Sequence, residues 1–126
     1  MPRSSPFVEF VVEQFSSLGE VTSRSMMGGW IVYCDAIPFA LIADNSVYLE
    51  VDDQNRARFE QRGLEAFRPF PEKDSVISYH LAPPEIFEDT DALKDWVGSA
   101  IEVGRRAAEK KTARKKSAAK RGKAAR

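Results

Sequence analysis

After Gly104 the chain contains no Leu, Ile, Val, Phe, Trp or Tyr, and all 13 aromatic residues lie at or before Trp96. A stretch whose only apolar side chains are alanines cannot bury enough surface to offset the entropy of ordering it into a core. The core must therefore close near Ile101 to Gly104, which divides the 126 residues into a folded domain, residues 1–104, and a Lys/Arg/Ala-rich tail, residues 105–126. Charge divides at the same place. The first segment carries eight basic and 18 acidic side chains, a formal −10, whereas the tail carries 11 basic and one acidic, a formal +10. The neutral total conceals an acidic body and a basic appendage.

Within the body, Ser5-Pro6 joins an N-cap residue to a proline at the first helical position, and Phe7, Phe10, Val11, Phe15 and Leu18 recur at helical spacing until Gly19. From Val21 the pattern changes to short apolar or alternating runs: Val21 to Met26, Trp30 to Cys34, Ile37 to Ala43 and Val47 to Val51. Asp35-Ala36 and Asp44-Asn45-Ser46 supply turn chemistry between them, which predicts antiparallel hairpins. Asp52 or Asp53 is placed to cap a second helix through Arg56, Phe59 and Arg62 to Gly63. Two weaker strands are expected around Glu65 to Phe70 and Val76 to Leu81, before Pro83-Pro84 ends the sheet. Thr90 opens a third helix with Leu93, Trp96, Val97, Ala100 and Ile101 on one face. The expected fold is α+β: helix, four strands, helix, two strands, helix, with the helices packed on one face of an antiparallel sheet of five to six strands.

Three segments taken in order resemble the N-terminal domain of the TfoX/Sxy family of bacterial competence regulators. They are Arg24-Ser25-Met26-Met27-Gly28-Gly29-Trp30-Ile31-Val32-Tyr33, Phe39-Ala40-Leu41-Ile42-Ala43-Asp44 and Val47-Tyr48-Leu49-Glu50-Val51-Asp52. The likeness continues through Asn55 to Phe59 and on to Tyr79, Ala82-Pro83, Glu88-Asp89, Leu93 and Trp96, covering about residues 5–104. Met27 stands where the family more often has Phe, Ala36 where a turn Gly is usual, and Pro38 within a strand, which favours an edge or a bulge there. The resemblance implies a regulatory protein, here expected to lack the family's second, C-terminal domain and to carry only the basic tail.

Each candidate chemical group has a structural reading. Gly28-Gly29 leads into a strand and not into a helix N-terminus, so it reads as a turn and not as a phosphate loop. Cys34 and His80 are the candidate nucleophile and base, but no spacing brings them together, and Cys34 lies in a strand where Cys usually behaves as a small hydrophobe, so the structural reading is expected. The carboxylates Asp52-Asp53 and Glu85, Glu88, Asp89, Asp91 and Asp95 sit where acids stabilise helix N-termini. Trp30 and Trp96 read as core. One Cys and one His cannot build a structural zinc site of soft ligands. No catalytic residue, metal or cofactor is expected. No apolar run approaches the roughly 18 residues of a membrane span, and Glu9 and Glu13 interrupt any signal-like stretch, so a cytoplasmic protein without membrane contact is expected.

The tail is the informative outlier. Lys110, Lys111, Arg114, Lys115, Lys116, Lys120, Arg121 and Lys123 are interspersed with alanines in a composition of high helix propensity. The like-charged pairs Lys110/Arg114, Lys111/Lys115 and Lys116/Lys120 each oppose helix by about 0.2–0.5 kcal/mol. Phosphates remove that penalty, so the expected tail is frayed when free and helical on DNA or RNA, which it binds without sequence preference. The expected function is a non-enzymatic regulatory or nucleoid-associated protein whose acidic body contacts a protein partner or a second copy. The rival is a small-molecule-binding or enzymatic domain, its pocket lined by Trp30, Tyr33, Tyr48 and the third helix, with a solubilising tail.

Overall fold

A computed structural model describes residues 5–26, 28–67 and 78–124, with side chains as far as Thr112. Helix α1 (Pro6–Phe15) starts as its cap dictates: Ser5 Oγ accepts a hydrogen bond from the Val8 N–H at 3.2 Å, and Pro6 occupies the position that needs no donor. A 3-10 turn (Ser16–Leu18) leads into β1 (Val21–Met26), β2 (Gly29–Cys34), β3 (Ile37–Ala43) and β4 (Ser46–Glu50). Helix α2 (Arg56–Gln61), β5 (Tyr79–Leu81), a second 3-10 turn (Pro84–Phe87) and α3 (Thr90–Ala124) complete the order. The five strands form one antiparallel sheet in the order β1-β2-β3-β4-β5.

Of the two weaker strands, only Tyr79–Leu81 forms as a strand. Residues 65–67 run antiparallel to it through the Phe67 N–H to Tyr79 O and Leu81 N–H to Glu65 O bonds and a single bridge, Ala66 to His80. Positions 68–70 and 76–77 of the two expected strands lie outside the described residues.

The meander is fixed by its turns. Asp35, Ala36, Asp44 and Asn45 all have positive φ, between 49° and 68°, which gives both two-residue loops the twist that antiparallel strands favour. Gly28, at φ 86°, turns β1 into β2, and a Cβ at Gly29 would stand 2.7 Å from the Ile42 carbonyl oxygen, so the glycine pair serves the sheet and not an anion. Pro38 lies in the central strand, where it removes a donor. The structure accommodates it with a bulge: Tyr33 pairs with Pro38 and Val32 with Ala40, leaving Phe39 extra. The bulge turns both Phe39 and Ala40 into the core, and the Phe39 ring lies 5.9 Å from that of Phe15 on α1.

Val32, Ala40, Ile42, Val47 and Leu49 line the core face of the sheet, and Val11 and Phe15 of α1, Phe59 of α2, and Leu93, Val97 and Ile101 of α3 cover it. Helix α3 then continues without a break past Gly104 to Ala124. This differs from the expectation of a frayed tail. Helix nucleation, the costly step, has already been made by the core-docked first turns, and each added Ala, Lys or Arg only has to propagate it. Among the described residues, no helix is long and apolar enough to cross a membrane.

Ala36 holds a left-handed conformation at φ 68° that glycine adopts without a Cβ penalty. Ala36→Gly is expected to stabilise the protein by about 0.5–1 kcal/mol, the left-handed penalty less the added chain entropy. Urea denaturation should show a higher midpoint at unchanged slope; a lower midpoint would contradict the turn assignment.

Candidate functional site

The eight tail cations expected to contact nucleic acid, Lys110, Lys111, Arg114, Lys115, Lys116, Lys120, Arg121 and Lys123, all fall on α3. Lys110 and Lys111 are exposed; the side chains of the other six lie outside the described residues. At the root of this segment the first two cations are tied to the acidic body. Arg106 Nε donates to Asp52 Oδ2 at 2.8 Å, across a pair only about a third exposed. Arg105 donates to Glu102 at 3.0 Å and comes within 3.9 Å of Asp35, both exposed contacts that add little. The Arg106 hydrogen bond holds the Asp52 carboxyl below the usual carboxylate range, with Lys110 contributing weakly in the same direction. Part of the body's negative charge is thus matched to the start of the tail, and the remaining cations are carried outward.

Between these two parts lies a cleft of about 490 Å³. It forms where α3 leaves the core and passes the end of the sheet, at the start of β3 and the end of β4. Gly104 makes the close approach possible, since a Cβ there would meet the Pro38 carbonyl oxygen at 2.7 Å and Glu50 Oε1 at 3.3 Å. Beyond it, Ala107 and Ala108 are too small to fill the space against Ile37, Pro38 and Tyr79. Lys110 and Lys111 stand at the mouth.

Glu50 is the unusual group in this cleft. On β4, Val47 and Leu49 point to the core, as does Val51 just beyond it, so alternation places Glu50 on the other face, beside its register partner Tyr79. Yet its Oε1 is buried and finds no hydrogen-bond partner among the described residues, a situation that costs roughly 1–3 kcal/mol. Burial first, and the nearby Asp52 carboxylate second, raise its carboxyl from 4.5 to about 7. Tyr79 is also shifted upward, chiefly by burial and then by Glu50 and Tyr33.

The other sequence candidates are dispersed. Cys34 lies on β2 and His80 on β5, three strand positions apart in the sheet order, a gap of roughly 14 Å at the usual strand spacing, so they cannot act as a dyad. Burial, reinforced by Asp35 and opposed by Arg105, pushes the Cys34 thiol up and away from reactivity. His80 is buried with Nδ1 2.8 Å from the Leu64 carbonyl oxygen, which accepts its Nδ1–H. Of the residues the rival reading places in one pocket, Trp30 packs against the core, while Tyr48 lines a different cleft with Asp44 and Phe67.

The acidic clusters do less capping than expected. Helix α2 begins after Asn55, and neither Asp52 nor Asp53 caps it: Asn55 Oδ1 accepts from the Asp52 N–H at 2.8 Å, and Asp53 pairs with Arg56 at 2.7 Å. Near α3, Asp89 accepts from the Asp91 N–H at 2.9 Å as a cap should. Glu85 and Asp95 instead clamp α2, through the two-bonded Arg62–Glu85 pair and the 2.7 Å Arg58–Asp95 pair. Arg58 also stacks 4.2 Å over the Trp96 ring, which fixes that indole as structural. Among the described residues, no three His, Cys, Asp or Glu side chains gather as a metal site would need.

A family model described as the TfoX N-terminal domain matches residues 13–104 of the chain. No curated protein gives a significant match. The matched span ends at Gly104, so the cleft takes one wall from the matched segment and the other, Ala107 to Lys111, from the helix beyond it.

Because the Glu50 carboxyl is raised from 4.5 to about 7 in the folded state, the native protein holds a proton that the unfolded chain releases earlier. Its contribution to stability is intact below pH ~4.5 and is lost as pH rises through ~7. Glu50→Gln is expected to stabilise the protein at pH 8 by about 1–2 kcal/mol, a value reduced for solvent access, and to be nearly neutral at pH 4.5. Thermal melts of both proteins across that range measure the difference; a gap that does not change with pH would contradict it.

Proposed function

The chain belongs to the TfoX N-terminal domain family, and we propose that it is a cytoplasmic, non-enzymatic regulatory or nucleoid-associated protein. In this reading the α+β body makes protein contacts and the basic part of α3 binds DNA or RNA through its phosphates. One observation carries the reading: the helix that contributes Leu93, Trp96, Val97 and Ile101 to the core is continuous with the segment bearing all eight cations. At 1.5 Å per residue, positions 105–124 extend for about 30 Å, a rod anchored to the body at one end. Duplex DNA carries one charge per ~1.7 Å of axis, so such a rod meets many phosphates whatever the sequence. The separation of Cys34 from His80 and the structural roles of Glu85, Asp95 and Trp96 support the non-enzymatic part of the proposal.

The anchored root shapes the expected behaviour. Arg105 and Arg106 are engaged with Asp35, Glu102 and Asp52, so the cations available to phosphate begin at Lys110. A helix also cannot wrap back over the acidic body as a coil would, which limits self-competition for the outer cations.

Full-length protein is expected to bind duplex DNA of unrelated sequences with similar affinity. With about 6–10 phosphate contacts, affinity should fall by roughly 10³–10⁵ between 50 and 200 mM salt. Replacing Arg114, Lys115, Lys116, Lys120, Arg121 and Lys123 by Gln should remove most of that salt dependence, whereas replacing Arg105 alone should leave it nearly unchanged. Fluorescence anisotropy with labelled duplexes and RNA hairpins reads both effects. Absence of binding at 50 mM salt, or a salt slope untouched by the six substitutions, would refute the proposal.

A further inference from the structure

The cleft beside Gly104 is lined by three chemically different parts. Glu50 is one of them: one oxygen of its carboxyl is buried beside Gly104 without a hydrogen-bond partner among the described residues, and the half-buried side chain lines the cleft. Apolar walls follow, from Ile37 and Pro38 on one side and Ala107 and Ala108 on the other. Two lysines, Lys110 and Lys111, complete the lining. Its volume of about 490 Å³ falls in the range of small-molecule sites.

We propose that this cleft binds a small zwitterion with separated charges, its amino group donating to Glu50 and its carboxylate or phosphate group meeting Lys110 and Lys111, with an apolar middle between the alanine and proline walls. The nucleic-acid reading is not needed for this inference, which rests on the lining of the cleft alone. A purely anionic ligand satisfies the lysines but leaves the Glu50 oxygen unpaired. A purely cationic one satisfies Glu50 but passes two ammonium groups to reach it. Only a bipolar ligand answers both ends.

The Glu50 end is suited to an ammonium group for a further reason. Glu50 is flanked by Asp52 and Tyr79, and Arg106 has its hydrogen bond with Asp52. A ligand ammonium therefore brings the Glu50 carboxyl a positive charge and hydrogen-bond donors together. When it enters, the proton that Glu50 holds near neutral pH leaves to solvent, and the carboxylate that remains accepts from the ligand.

The test uses the full-length protein, labelled with ¹⁵N, and three probes of equal chain length: 6-aminohexanoate, hexylamine and hexanoate. Titration with 6-aminohexanoate should give saturable shifts at the amides of Ile37, Tyr79, Gly104, Ala107 and Ala108, and the other two probes should bind at least tenfold more weakly. Glu50→Gln should weaken 6-aminohexanoate binding at least tenfold and leave hexanoate unaffected. Ala108→Leu, which adds bulk to the cleft wall and changes no charge, should abolish the shifts for all three probes. Melting curves confirm that each variant is folded. Equal binding of hexanoate and 6-aminohexanoate, shifts that survive Ala108→Leu, or the absence of saturable shifts at these five amides would each overturn the proposal. DNA binding measured on the same variants separates the two readings, since Ala108→Leu leaves every tail cation in place.

Discussion

The distance between α3 and the first residues of β3 governs the rest of the architecture. At Gly104 the helix backbone lies so close to the Pro38 carbonyl that a single methyl group would collide with it. That contact ends the core, since no side chain can be inserted there, and it sets the direction in which the helix departs. It also brings Arg106 within 2.8 Å of Asp52 on the loop after β4. The cleft, the buried oxygen of Glu50 and the anchored base of the basic rod all follow from this one approach. A larger residue at position 104 would separate α3 from the sheet and dissolve the three features together.

Pro38 is a second half of the same constraint. A proline in a central strand normally breaks the ladder, but here the bulge at Phe39 absorbs it and adds a ring to the core against Phe15. The bulge bends the start of β3, where Ile37 and Pro38 meet the helix. An irregularity that costs one ladder hydrogen bond thus shapes the surface on which α3 is seated.

Much of this fold was legible in the sequence because its signals are local. The Ser5-Pro6 cap, the two turns at Asp35-Ala36 and Asp44-Asn45, and the periodic face of Leu93, Trp96, Val97 and Ile101 each act within a few residues, and each appears where its chemistry places it. The family resemblance spans the same elements and agrees with the match over residues 13–104. The charged groups were less legible. Asp52 reads as a helix cap from its neighbours, but its carboxylate is taken by Arg106, 54 residues away. Glu50 lies on the face of β4 opposite the core residues Val47 and Leu49, and the return of α3 at Gly104 closes over one of its oxygens. No local pattern carries that information, because the partner is distant in sequence and small: a glycine and two alanines, none of which marks the wall of a cleft.

The opposite charges of body and tail acquire a different meaning once the tail is a helix. As a flexible coil, a segment of +10 attached to a body of −10 would collapse onto it, and the two charges would neutralise each other. A continuous helix cannot do so. It rises ~1.5 Å per residue, so position 120 lies roughly 21 Å along the axis from Arg106, more than two Debye lengths at physiological ionic strength. Among the described side chains, the attraction is made at the root, where Asp35, Asp52 and Glu102 meet Arg105 and Arg106 and Lys110 adds weakly. On any helix a like-charged i, i+4 pair costs about 0.2–0.5 kcal/mol through its repulsion. In the proposed reading a polyanion that relieves this repulsion would stabilise the helix as it binds, and the Arg106–Asp52 contact is what ties that helix to the body.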